Sequence, residues 1–164
     1  MKCVVTGASG HIGNVLVREL IKNGYEVKAF VLENENVEYL KELQIEICYG
    51  DVRNIESLEK AFQGAEIVFH LAGIIDIGTT KRKTIYSVNV EGTKNVLQAC
   101  KKEKVKKLVY TSSVHAIAEK PIGEVITETI DCANKKIGAY LEGGYNFVDV
   151  RDVAKGIMQA AQKR

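Results

Sequence analysis

Gly7, Gly10 and Gly13 stand three residues apart where an apolar run, Lys2 to Thr6, gives way to a segment of helical periodicity. Glycines at such a junction serve three physical ends: a tight turn, backbone brought close to an anion, and close packing of helix on strand. The amides and dipole of the helix start then favour a phosphate at that point. Taken alone, the triplet also reads as a plain linking turn. Four further stretches bear on the choice: Gly50-Asp51-Val52, His70-Leu71-Ala72-Gly73, Asn89-Val90-Glu91-Gly92-Thr93 and Tyr110-Thr111-Ser112-Ser113. The first, second and fourth fall at the carboxyl ends of successive apolar runs. An open parallel sheet binds its ligand at that end of its strands.

The elements that must position these residues follow from periodicity. Strands are predicted at 2–6, 26–32, 45–49, 65–71 and from Lys107 to Thr111. Helices are predicted at 12–23, at 36–43, from Asn54 to near Gln63-Gly64, and as one long element at 84–103. The first carries Ile12, Val15, Leu16 and Leu20 at helical spacing and ends at Gly24; Asn54 suits a cap. Strands alternating with helices mean βαβ units, and uniformly apolar strands mean helices on both faces. The predicted fold class is therefore α/β, a doubly wound parallel sheet in three αβα layers. Beyond Ser113 the pattern weakens, and residues 117–138 read as loop or irregular structure. Tyr145 to Val150 reads as a short strand, and Asp152 as the cap of a last helix using Val153, Ala154, Ile157, Met158 and Ala161.

With the glycine triplet, these stretches make the chain resemble the extended short-chain dehydrogenase/reductase family, in its dihydroflavonol-reductase-like and nucleoside-sugar-epimerase-like branch. The G-x-x-G-x-x-G spacing is that family's variant, and the resemblance runs over about residues 1–120. It implies a Rossmann-type domain at 1–116 that binds NAD or NADP, an irregular segment at 117–141 and a strand–helix remnant at 142–164. Gly7, Ser9, Gly10, His11 and Ile12 would line the pyrophosphate, with Gly13 completing the turn. Asp51 would hydrogen-bond the adenine and Val52 pack on it; Leu71, Ala72 and Gly73 would face the adenosine and the ribose-bearing bridge. Asn89 would brace its helix. Ser113 matches the family's catalytic serine, which orients the substrate oxygen. On the residues alone, Asp51 also reads as a turn carboxylate and Ser113 as an ordinary strand-end hydroxyl.

Cofactor choice departs from the family's rules. An acidic residue ending the second strand would hold the ribose hydroxyls of NAD, and an arginine there would favour NADP. The matching positions here are Val31 and Leu32, with Glu33 one residue later. Pointing inward, Glu33 would repel a 2′-phosphate, which leans the expectation to NAD; a plain loop charge is the alternative.

The resemblance also implies a tyrosine general acid or base with a lysine four residues on, whose charge lowers the phenol's pKa. This chain has no such pair. Four residues after Tyr25, Tyr39, Tyr49, Tyr86, Tyr110, Tyr140 and Tyr145 come Ala29, Leu43, Arg53, Val90, Val114, Gly144 and Asp149. The tail from Gly143 to Ala154 looks like a segment that relatives place well after their catalytic helix, so the stretch near 130–140 reads as a join across a lost block. The expectation is a dinucleotide-binding protein of the oxidoreductase or epimerase type, shortened relative to hydride-transferring relatives. The alternative is a catalytically inactive nucleotide sensor or partner-binding module.

Bulk composition narrows the classes. The 164 residues carry a formal charge of +2, too mild for a nucleic-acid partner, and the basic runs at 81–83 and 101–107 read as solvated surface. The four cysteines, Cys3, Cys48, Cys100 and Cys132, lack metal or redox spacing and read as buried hydrophobes. His11, His70 and His115 are far apart, so no metal is expected. No segment reads as an export signal or a bilayer span, which with free thiols leans to the cytoplasm. The substrate would be a small molecule of unknown identity, and the resemblance allows a homodimer.

Overall fold

The computed structural model describes residues 1–75, 81–113 and 149–162. Its element order is β1 (Lys2–Thr6), α1 (His11–Lys22), β2 (Glu26–Val31), α2 (Glu38–Lys41), β3 (Glu46–Tyr49), α3 (Ile55–Phe62), β4 (Ile67–His70), α4 (Arg82–Tyr86), a π-helical stretch (Ser87–Gly92), α5 (Thr93–Lys102), β5 (Lys107–Tyr110) and α6 (Val150–Gln162). The five strands form one parallel sheet in the order β3-β2-β1-β4-β5. Val5 is the shared centre, in register with Ala29 on one side and Phe69 on the other. The winding reverses between β1 and β4, which opens the crevice at their carboxyl ends.

Strand pleating divides the core. Cys3, Val5, Ala29 and Phe69 pack with Leu16, Val17 and Leu20 of α1 and Ala154, Met158 and Ala161 of α6. Val4, Phe30 and Val68 turn the other way, onto Leu58, Ala61 and Phe62 of α3 and Val96 and Ala99 of α5. Both faces of the central strands β1 and β4 are covered, so these strands are buried along nearly their whole length. The expected three-layer αβα arrangement is the one observed.

Local signals explain most element ends. Gly24 ends α1 at φ +77°, a left-handed conformation natural to glycine. Asn54 caps α3, its side-chain oxygen accepting the Ser57 amide at 3.1 Å.

Three expectations need correction. The long helix predicted at 84–103 begins at Arg82 and is interrupted by the π-helical stretch Ser87–Gly92. That interruption falls where the helix meets the ligand-side loops: Asn89 engages Ile74, and Gly92 backs onto Val52. Insertions of this kind gather at functional sites. The last helix starts at Val150 rather than after Asp152; Asp149 lies before it, with its Oδ1 accepting the Arg151 amide at 2.8 Å. Asp152 lies within the first turn. Val150 is thus helical and not part of a strand; residues 145–148, like His115 and Cys132, lie outside the described residues.

Residues Met1–Thr111 and Asp149–Arg164 make one compact unit. Within it α6 packs on α1, and Lys107 of β5 donates from Nζ to the Ala161 carbonyl at 2.7 Å, meeting the negative end of α6. Ser112–Val148 form a second unit, of which only Ser112 and Ser113 are described.

Candidate cofactor site

At the carboxyl ends of β1, β2, β3 and β4 lies a cavity of about 310 Å³. Its walls bring together three of the clusters singled out in the sequence: Gly7, Ser9 and Gly10; Asp51 and Val52; Leu71, Ala72 and Gly73. Phe30, Val31, Leu32 and Gly50 make the side nearest β2 and β3.

The glycines are dictated by close approach. Gly7 has φ +69°, and a Cβ there would sit 2.8 Å from the Ala72 amide nitrogen. A Cβ on Gly13 would fall 2.0 Å from the Gly7 carbonyl oxygen, so this glycine lets α1 close on the turn rather than lining the cavity. Gly10 precedes the helix in extended conformation, and its exposed position leaves the turn open toward the cavity. His11 and Ile12 also lie off the cavity wall, in the first turn of α1. The first amides of a helix have no intrahelical acceptor, so these residues offer backbone rather than side chains.

Asp51 accepts the Arg53 amide at 2.8 Å and its guanidinium through both carboxylate oxygens, at 3.0 Å from Nε and 2.5 Å from Nη2. That guanidinium holds the Asp51 carboxyl below the usual carboxylate range. Val52 is buried beneath the loop: its carbonyl accepts the Asn95 side-chain amide at 3.0 Å, and Gly92 leaves room for its Cγ2. Asn89, expected to brace its own helix, instead braces the opposite wall with its side chain, donating to the Ile74 carbonyl at 2.9 Å and accepting the Ile74 amide at 2.8 Å.

The acid at the site differs from the one expected. Glu33 is exposed and does not line the cavity; Glu35 does. A turn from the Leu32 carbonyl to the Glu35 amide (3.3 Å) brings Glu35 back over the end of β2. There its Oε2 accepts the Leu32 amide at 3.3 Å and the Ser9 hydroxyl. Tyr39, also unforeseen, donates its hydroxyl to the Ser9 carbonyl at 2.6 Å and so ties α2 to the glycine turn. Sequence offers no signal for either contact, since both depend on how the segment after β2 folds back.

Ser113 is exposed and belongs to the second unit. Cys3, Cys48 and Cys100 are free thiols, pushed up chiefly by burial, Cys3 to about 12 and Cys100 to about 11. They are poor nucleophiles. Among the described residues no cluster of His, Cys, Asp and Glu could hold a metal, and no helix is long and apolar enough to cross a membrane.

Sheet order, glycine turn and switch-point cavity together define a Rossmann-type domain of the short-chain dehydrogenase/reductase kind. The model of the 3-beta hydroxysteroid dehydrogenase/isomerase family matches residues 4–142, and the chain belongs to that family. It is 37% identical over 123 residues to sterol demethylase protein B of Methylococcus capsulatus, covering 75% of this chain and 38% of the relative. It is 37% identical over 142 residues to a putative dihydroflavonol 4-reductase of Synechocystis, covering 86% and 41%. Among solved structures, UDP-glucose 4-epimerase of Thermus thermophilus in complex with NAD superposes with a TM-score of 0.68 at 30% identity, over 79% of this chain and 43% of that one. The chain thus spans about two fifths of the length of these relatives.

Proposed function

We propose that this chain binds NAD(H) in the cavity at the switch point, as the cofactor-holding part of an oxidoreductase or epimerase. The observation that carries the reading is the convergence on one cavity of three clusters spread over more than sixty residues of sequence, from Gly7 to Gly73. In this reading Gly7, Ser9 and Gly10, which line the cavity, would border the pyrophosphate, with the first amides of α1 behind them; Asp51 and Val52 would hold the adenine, and Leu71, Ala72 and Gly73 would border the adenosine and its bridge. The cofactor supplies hydride chemistry, and the protein supplies binding and orientation. Ser113 would orient a substrate oxygen, but the tyrosine–lysine pair that completes the family's chemistry is not in this sequence. The inactive sensor reading rests on that same gap.

Glu35 decides between the cofactors in this reading. Its carboxylate stands where an acid ending β2 would stand, suited to ribose hydroxyls and repellent to a 2′-phosphate. Titration of the protein's bound-nucleotide fluorescence is expected to show NADH binding at least about tenfold more tightly than NADPH, from like-charge repulsion. Glu35→Gln should narrow that gap. Equal affinities in the unaltered protein would overturn the role of Glu35, and binding of neither nucleotide would overturn the dinucleotide reading itself.

A further inference from the structure

His70 is fully buried at the end of β4, where the buried side chains among the described residues are otherwise almost all apolar. The mechanism outlined above makes no use of it. Both ring nitrogens are engaged: Nδ1 lies 2.7 Å from Thr6 Oγ1, and Nε2 lies 3.1 Å from Thr93 Oγ1. Each hydroxyl has a further partner. Thr6 Oγ1 accepts the Ala72 amide at 3.2 Å, and the Thr93 hydroxyl donates to the Asn89 carbonyl at 2.8 Å.

Counting protons fixes the tautomer. Thr93 has given its only hydrogen to Asn89, so its oxygen must accept, and Nε2 must carry the ring proton. Nδ1 is then an acceptor and receives the Thr6 hydroxyl. All the hydrogens point one way along the chain, from the Ala72 amide through Thr6, the ring and Thr93 to Asn89. The opposite tautomer would leave the Thr6 hydrogen without its acceptor in a buried site and pull Thr93 off the Asn89 carbonyl. Leaving a buried polar group unpaired is the costly outcome.

Both arms of this chain end on one segment. One arm reaches Ala72 through Thr6, and the other reaches Ile74 through Thr93 and Asn89, whose side chain holds the Ile74 amide and carbonyl. We propose that His70, as the Nε2–H tautomer, is the positioning residue that fixes the Leu71–Ile74 wall of the cavity from beneath. It touches no ligand. It joins β1, β4 and the π-helical stretch so that Gly73 is presented between two anchored neighbours. The stacked Tyr110 ring, centroids 5.4 Å apart, covers one face of the imidazole. The link to cofactor affinity rests on the function proposed above; the network itself does not.

The test uses the whole chain with Thr93→Val, which keeps shape and removes the hydroxyl, and Thr93→Ser, which restores it. Nitrogen NMR of His70 is expected to show the proton on Nε2. Amide hydrogen exchange at Ile74 should quicken about tenfold in Thr93→Val, the loss of roughly one net hydrogen bond, and return in Thr93→Ser. NADH affinity should fall and recover in parallel, at a temperature where circular dichroism shows both variants folded. A proton on Nδ1, unchanged Ile74 exchange in Thr93→Val, or no recovery in Thr93→Ser would overturn the proposal. Failure of the unaltered protein to bind NADH would instead overturn the dinucleotide reading, and the tautomer and exchange results would still decide this one.

Discussion

Gly13→Ala is expected to lower the free energy of unfolding by about 3 kcal/mol, the upper end of what overpacking costs. The new Cβ would lie 2.0 Å from the Gly7 carbonyl oxygen and 2.9 Å from Ala8 Cα. Both are backbone atoms, so no flexible side chain can move aside. Relief requires α1 to lift away from the turn, which takes Leu16, Val17 and Leu20 out of register with Val5 and Ala29. For a domain held by about 5–15 kcal/mol, that is a large share of the total. Gly24→Ala is the control. It has the same chemistry at φ +77° but nothing within 4 Å of the added methyl, and should cost about 1 kcal/mol from backbone strain alone. Urea unfolding followed by circular dichroism separates them. Equal losses at the two positions would show that the packing of α1 on the turn is not what Gly13 provides.

The second large effect is acid destabilisation through His70. Burial lowers its pKa from 6.5 to about 4. The unfolded chain therefore takes up a proton near pH 6.5 that the folded chain refuses until about pH 4. Between those values the unfolded state holds more protons, so stability falls as pH falls. The contribution is complete above pH 6.5, declines through the window and levels off below pH 4. Integrated, it amounts to about 3 kcal/mol. Burial is the physical reason, and the proton pattern acts in the same direction: with Nδ1 protonated as well, the Thr6 hydroxyl loses its acceptor. Stability measured by urea unfolding from pH 7.5 to 4 should show this slope, and His70→Gln should flatten it while being less stable at neutral pH. An identical slope in the variant would place the sensitivity elsewhere.

The fold was largely legible in the sequence because its signals are local or periodic. Apolar runs of strand length, the helical spacing of Ile12, Val15, Leu16 and Leu20, Gly24 and Asn54 each act within a few residues of themselves. The cavity was legible for a related reason. Glycines and carboxyl-end residues mark where backbones approach, and a parallel sheet brings those ends together. What escaped notice depends on distance in sequence. Glu35 reaches the site only because the chain turns back at Leu32, so the nearer Glu33 was the natural choice and the wrong neighbour for the cavity. His70 reads as a strand-end residue until Thr6, sixty-four positions away, and Thr93, twenty-three away, are placed against it. The π-helical stretch is likewise set by two contacts, Asn89 with Ile74 and Gly92 with Val52, that helical periodicity does not encode. The cap of α6 was misplaced although a local signal existed: Asp149-Val150-Arg151 repeats the Asp51-Val52-Arg53 pattern, and each aspartate accepts the amide of its arginine at 2.8 Å.

Amide chemical-shift mapping of the isotopically labelled chain titrated with NAD locates the nucleotide on the protein directly. Saturable shifts are expected at Ser9, Gly10, Glu35, Asp51 and Ala72, all on the carboxyl-end cavity. The second cavity, lined by Lys2, Glu26, Lys28 and Glu46 at the amino ends of the strands, should stay silent. Shifts confined to that opposite end, or none at saturating nucleotide, would contradict the assignment of the switch-point cavity as the cofactor site.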